Sequence, residues 1–229
     1  MLKVSVAISI TRDALEEALK KALSKEYNKA RRFKQSVEII LSLSGLDLSK
    51  PDQRFTELVE LPHTPYKNPP KICVFTEGSL IPEAKSLGVD YMTKDSLNSL
   101  VGKKKECRKI SKSYDFFIAE APLMPVIGKT LGQFLGPKNK MPIPVPPASS
   151  ISQLVERLRK SVRITVKTSL SASCKIGHEE MPVQQLLENA EAVISAVGRR
   201  LPSSATIRFI GFKTTMGKIV KVFRGGSRS

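Results

Sequence analysis

LPHTPYKNPP, residues 61–70, places four prolines in ten positions and so suits neither a helix nor a central strand. A second proline-rich passage, PKNKMPIPVPP, occupies residues 137–147. Between the two, short apolar runs at 72–75, 89–92 and 116–119 are each followed by a stretch of helical spacing, at 82–87, 96–101 and 123–135. Strands that alternate with helices predict a small doubly wound, largely parallel sheet. Outside the two passages the pattern differs, and the chain reads as a domain inserted within a domain. Residues 1–66 and 161–229 form a discontinuous α+β domain with an antiparallel sheet. Residues 67–160 form an inserted α/β domain, Rossmann-like and three-layered, carried on two crossings that act as a hinge.

In the outer segments, Ala14, Leu15, Ala18, Leu19, Ala22 and Leu23 share one face of a helix over 12–24, opposite Glu16, Glu17, Lys20 and Lys21. Thr11 is its cap, and Ile10 and Leu15 have the spacing of a hydrophobic staple that fixes how an N-terminal strand enters it. Val37, Ile39, Leu41 and Leu43 alternate with Glu38 and Ser42 as a half-buried strand. After the second passage, a capped helix buries Ile151, Leu154, Val155 and Leu158. Two amphipathic strands then follow one another, the first with Val162, Ile164 and Val166, the second with Leu170, Ala172, Cys174 and Ile176. Pro182 opens a helix with Leu186, Ala190, Val193 and Val197 on one face, closed by Gly198 and Pro202. Two last strands, at 206–214 and 218–223, flank the turn Thr215-Met216-Gly217.

Charge narrows the partner. The 229 residues carry 38 Lys and Arg against 21 Asp and Glu, a formal net charge of +17. The excess grows along the chain, from +2 over residues 1–66 through +6 over 67–158 to +9 over 159–229. No acidic residue follows Glu191, whereas Arg199, Arg200, Arg208, Lys213, Lys218, Lys221, Arg224 and Arg228 do. A tract of one sign fits an anionic partner better than a solvated face, which mixes its charges. A membrane is the weaker candidate. No apolar run approaches the roughly 18 residues of a spanning helix, and Asp13 interrupts the N-terminus before a signal-peptide core is complete. The expectation is a cytoplasmic protein.

Catalytic chemistry finds little to use. Cys73, Cys107 and Cys174 are scattered and odd in number, and His63 and His178 have no metal-ligand spacing, so neither a disulfide framework nor a zinc site is expected, and no cofactor. Gly128-Lys129-Thr130 imitates the end of a phosphate loop, but that motif needs a glycine where Leu123 stands, and the tripeptide falls inside a helical stretch. A nucleotide-dependent enzyme built on the middle domain is therefore a rival reading only.

Nucleic-acid chemistry finds more. Without tryptophan and with only four tyrosines, an aromatic platform for single strands is not expected. In the basic knot Arg31, Arg32 and Lys34, however, Phe33 is either core or a ring that stacks on a base while its neighbours hold phosphates. Thr214-Thr215-Met216-Gly217 offers two hydroxyls for phosphate or ribose, a flexible apolar contact and a close backbone approach, though alone it is a hairpin turn. Arg163 and Lys167, on the polar side of their strand, and Lys213 and Lys218, beside the turn, add cations to the RNA-binding set.

Together these stretches resemble the L-one family of ribosomal proteins. MPVIGKTLGQFLGPKNKMPI, residues 124–143, is similar to the family signature throughout, KTTMGK at 213–218 to its C-terminal signature, and Arg32-Phe33 with Ser36-Val37-Glu38 to its N-terminal one. The lysine-rich KTTMGK, with EYN and SVEII, resembles the archaeal branch. The resemblance implies two domains, the first made from both chain ends and carrying the main RNA surface. It implies RNA positions at Arg32, Phe33, Ser36, Glu38, Thr215, Met216 and Gly217. One departure is Phe209-Ile210-Gly211-Phe212, where the family often has a small polar residue upstream of the Lys213 match. The implied function is that of a structural protein of the large ribosomal subunit. Its partners would be rRNA of the mobile lateral stalk and deacylated tRNA leaving the exit site. The implied alternative is a translational repressor bound to its own mRNA.

Overall fold

The computed structural model describes residues 10–146, 150–202 and 204–223. The strand expected ahead of Thr11, Pro147 of the second proline passage, and Arg224 and Arg228 of the cationic tract lie outside the described residues. Two compact units emerge, Met1–Lys67 with Lys160–Ser229 and, separately, Asn68–Arg159. The first stretch holds α1 (Arg12–Leu23), β1 (Ser36–Ser44) and β2 (Phe55–Glu60). The middle holds β3 (Ile72–Thr76), α2 (Ile81–Ser86), β4 (Asp90–Thr93), α3 (Lys94–Ser99), α4 (Lys104–Ser113) and β5 (Phe116–Glu120). It continues with α5 (Met124–Thr130), α6 (Gly132–Leu135), β6 (Ile143–Val145) and α7 (Ser152–Lys160). The chain returns through β7 (Ser161–Val166), β8 (Ser171–His178), α8 (Val183–Arg200), β9 (Thr206–Thr214) and β10 (Val220–Phe223).

In the first unit β1 is antiparallel to β8 and β9, and β9 to β10, giving the order β10-β9-β1-β8. Val37, Ile39, Leu41 and Leu43 are buried, in one core with Leu15 and Leu19 of α1 and Leu186 and Val193 of α8. Each such side chain contributes roughly 1.5–3 kcal/mol of burial, so alternation along β1 fixes which face takes the helices. Thr11 caps α1 as expected, its hydroxyl accepting from the Ala14 N–H at 3.4 Å. α8 runs through Gly198 to Arg200, so Gly198 lies inside the helix rather than closing it.

Two features of this unit depart from the sequence reading. In place of one antiparallel sheet there are two, of four and two strands. β7 pairs with β2, from Phe55 opposite Val166 to Glu60 opposite Ser161, whereas β8 pairs with β1. The first part of the proline passage, residues 61–67, is also tied down within the unit. Asn189, fully buried on α8, accepts from the His63 N–H at 2.9 Å and donates to the His63 carbonyl at 3.0 Å. The Tyr66 hydroxyl donates to the Ser161 carbonyl at 2.9 Å.

The second unit is built on a parallel sheet of order β4-β3-β5-β6. Its two central strands, β3 and β5, are buried on both sides, as strands between two helical layers require. Ile72, Val74, Phe116 and Ile118 pack with Ala84 of α2 and Val155 and Leu158 of α7. Cys73, Phe75, Phe117 and Ala119 pack with residues of α3 to α6. Three elements differ from expectation. α4 was not anticipated, because KKECRKISKS turns only Cys107 and Ser111 inward, with Ile110 partly buried. The expected helix at 123–135 is broken at Leu131 into α5 and α6. The second proline passage contains β6, an edge strand that tolerates Pro144 because one side of it has no ladder partner among the described residues. Burial pushes the Cys73 and Cys174 thiols up to about 12 and leaves them inert.

Candidate nucleic-acid interface

Three segments far apart in sequence meet at one end of the β10-β9-β1-β8 sheet: the connection from α1 to β1, the residues following β8, and the turn between β9 and β10. Gln35, fully buried, sits at their junction. Its Nε2 donates to Asn28 Oδ1 at 2.5 Å and to the Lys29 carbonyl at 3.2 Å, and its Oε1 accepts from the Met216 N–H at 3.0 Å. Glu179 reaches in from beyond β8, accepting from the Gln35 N–H at 3.1 Å and from Asn28 Nδ2 at 3.2 Å. Ser36 and Thr215 close the ladder reciprocally: the Ser36 N–H donates to Thr215 Oγ1 and the Thr215 N–H to the Ser36 carbonyl, each at 3.0 Å. Sheet ends normally leave such groups to water. Here side chains take them.

With its backbone groups satisfied, this end turns other chemistry outward. Phe33 is 51% exposed and Met216 58% exposed, both large apolar side chains outside the cores. Arg31, Arg32 and Lys218 are exposed, and among the described residues none has an acidic partner. Lys34 is engaged by Glu180, which also lies 3.6 Å from Lys67. Lys213 and Glu38, opposite one another across β9 and β1, form an ion pair at 3.5 Å. His178 stands opposite Ser36 in register. Burial and then Lys175 hold its imidazolium form below the usual range, and its buried Nδ1 has no partner among the described residues.

The structure redistributes roles within the expected set. Ser36, Glu38, Lys213, Thr214, Thr215, Met216 and Gly217 come together, with Arg31, Arg32, Phe33 and Lys218 beside them. Thr214 is a correction: it is fully buried and its hydroxyl donates to Asn28 Oδ1 at 3.0 Å, so it anchors the turn and offers nothing to a ligand. Gly217 is needed for contact within the chain. A Cβ there would stand 2.2 Å from Thr214 Oγ1 and 2.9 Å from the Tyr27 carbonyl oxygen. Arg163 and Lys167 do not join the cluster. Arg163 lies in β7, opposite Leu58 of the two-stranded sheet. Lys167 follows β7 just before Leu170, whose carbonyl accepts from the Leu43 N–H, at the far end of β1 from Ser36. Gln35, Asn28 and Glu179 were missed, since no local pattern marks a polar side chain whose partners are distant in sequence.

The α/β unit was the place for the rival nucleotide site. In such a sheet that site lies where strand order reverses, at the C-terminal ends of β3 and β5. Glu120 fills this position. Its carboxylate accepts from Thr76 Oγ1 at 2.5 Å, Ser79 Oγ at 2.6 Å and the Glu77 N–H at 2.9 Å. Burial opposes its ionisation, but those hydrogen bonds outweigh it and hold the carboxyl below its ordinary value. The donors that would cradle a phosphate are thus committed to an internal anion. Gly128-Lys129-Thr130 ends α5, with the Thr130 hydroxyl donating to the Val126 carbonyl at 2.9 Å.

Comparison with known proteins gives the family of the chain. Residues 19–218 match the model of the ribosomal protein L1p/L10e family. The chain belongs to that family. Among its relatives, the large ribosomal subunit protein uL1 of Pyrobaculum aerophilum is 44% identical over 214 residues, covering 93% of this chain and 95% of the relative. Those of Thermofilum pendens and Thermococcus kodakarensis are each 43% identical, covering 92% and 95% of this chain and 93% and 100% of the relatives. These are archaeal proteins, in line with the archaeal resemblance of KTTMGK. The family is one of ribosomal proteins, and this member is not an enzyme. Among the described residues no helix is long and apolar enough to cross a membrane.

Proposed function

We propose that this chain is a structural constituent of the large ribosomal subunit in the cytoplasm. The knitted end of its four-stranded sheet grips a folded rRNA element of the lateral stalk, beside the path of departing deacylated tRNA. One observation carries the reading: the buried Gln35 bonds the backbone of Met216, two residues from exposed Phe33, so apolar tips and unpaired cations from both chain ends share one rigid surface. Such a surface suits irregular RNA, which is recognised by shape, sugar hydroxyls and stacking more than by base edges in a groove.

The test is binding to a large-subunit rRNA fragment across a salt series. Log affinity should fall with log salt by roughly 0.7–0.9 per neutralised phosphate. Met216→Ala should weaken binding by about 1–3 kcal/mol through loss of a buried sugar or base contact. Salt-insensitive binding, or an unaffected Met216→Ala variant, would overturn the reading. A message fragment of similar fold would engage the same surface, and direct competition with the rRNA fragment ranks the two.

A further inference from the structure

A second aromatic feature lies on the same sheet, away from the knitted end. Residues of β1 that alternate with its core side chains, among them Ile40 and Ser42, face away from α1 and α8. Their cross-strand partners face the same way. Ser42 is opposite Phe209, and Phe209 is opposite Phe223 on β10. The two rings lie 5.7 Å apart between centroids at 54°. Both are half-buried, yet neither packs against any of the three hydrophobic cores. Ile40 and Ile219 are equally outside them, and Ile219 lies against Gly211, where a Cβ would meet it at 2.7 Å.

Cations and hydroxyls frame this patch. Lys221 Nζ lies 5.2 Å from the Phe209 ring centroid. Between Ser42 and Leu43 the register slips, from Phe209 to Ile207, leaving Arg208 as the extra, exposed residue of a bulge. Ser42 and Ser171 share the row of Phe209. An aromatic surface bordered by cations and hydroxyls on an antiparallel sheet has the parts that bind unpaired nucleotides: a π-face for the base, charge for the phosphate, hydroxyls for the sugar. The exposed Lys221 contact with the ring is weak. A stacking base can displace it, which frees the ammonium for a phosphate.

We infer that the Phe209–Phe223 pair is a stacking platform for an unpaired base of single-stranded RNA, with Lys221 and Arg208 on the adjoining phosphates. This rests on reading RNA as the partner and adds a second contact along β9, on which Phe209 lies five residues before the anchoring Thr214.

The probe is an oligouridylate of about 12 nucleotides, within the span such surfaces cover, titrated against the full chain. Phe209→Leu keeps apolar bulk and should weaken binding about 5- to 100-fold, the loss of one stacked base. Phe209→Tyr should restore it, Phe223→Leu should weaken it, and ultraviolet crosslinks should map to β9 and β10. Unchanged thermal melting of the leucine variants keeps the comparison free of misfolding. Met216→Ala should leave oligouridylate binding intact while weakening the folded rRNA fragment, so the two sites fail separately. Wild-type binding by both leucine variants, or crosslinks elsewhere, would overturn the platform. Competition by polyglutamate as effective as by oligouridylate would reassign the patch to an acidic protein chain, and a dimer dissolved by Phe209→Leu would reassign it to self-association.

Discussion

Replacing Gln35 tests the knitted end directly. Gln35→Leu keeps the approximate volume and removes both polar termini. It strands the Met216 N–H and the Lys29 carbonyl and takes one of the two hydrogen bonds from Asn28 Oδ1, which retains only the Thr214 hydroxyl. A buried group left unpaired costs about 1–3 kcal/mol, and here Met216 and Lys29 are exposed enough for water to replace part of the loss. A net cost of about 2–3 kcal/mol follows, roughly a 1–2 M fall in urea midpoint for a unit with a slope near 1–3 kcal/mol/M. Since two units need not unfold together, the sharper readout is amide hydrogen exchange. The Gly217 N–H, bonded to the Thr214 carbonyl, and the Lys218 N–H, bonded to the Tyr27 carbonyl, should lose protection by about tenfold or more while β3 and β5 keep theirs. Affinity for the rRNA fragment should fall with it. Native exchange at these amides together with native affinity would refute the idea that Gln35 holds the surface in shape.

Three other outcomes follow from the same contacts. Gly217→Ala forces a methyl against Thr214 and the Tyr27 backbone, so stability should fall by about 1–3 kcal/mol and RNA affinity with it, read by urea titration and by filter binding. Arg32→Ala should lower the magnitude of the salt slope by about 1, whereas Lys167→Ala, at the far end of β1, should leave affinity for the folded fragment within about twofold. Glu120 has a carboxyl held below its ordinary 4.5 in the folded state, so its contribution is present above that value and is lost as pH falls through the lower folded value. Melting of the α/β unit should therefore drop as pH falls below the ordinary carboxyl value, and Glu120→Gln should flatten that dependence.

Much of this fold is legible because its cores are periodic. α1, β1, α8 and β9 follow from the spacing of Leu15 and Leu19, Val37 and Ile39, Leu186 and Val193, Ile210 and Phe212. β2 escapes such reading because FTELVE has apolar residues on both sides, with Leu58 exposed and Val59 buried, and so lacks clean alternation. α4 escapes because its helix buries so little. For the site, TTMG and the Arg-Arg-Phe knot are visible as motifs, but what joins them is not: Gln35, buried against the usual trend, and the half-buried Asn28 and Glu179 are polar side chains whose partners come close only in the folded chain. Thr214 was within reach. It continues the inward series of Ile210 and Phe212 by two residues, and that period alone assigns it to the interior.

The division between what is buried and what is exposed at the sheet end has a physical rationale. A ligand with an irregular backbone can be held firmly only if the groups that meet it lose little freedom on binding. Phe33 and Met216 are exposed side chains on a bend and a turn, and segments of this kind are ordinarily the least stable parts of a domain. Gln35, Asn28, Glu179, Ser36 and Thr215 spend their hydrogen bonds on fixing those segments, which leaves stacking and charge for the partner. The rigid frame thus comes from polar side chains turned inward and the adhesive tips from apolar and cationic ones turned outward, the reverse of the usual arrangement of a surface. That inversion is why both chain ends must arrive at the same end of the sheet: neither the Phe33 segment nor the Met216 turn carries enough hydrogen-bonding partners to fix itself.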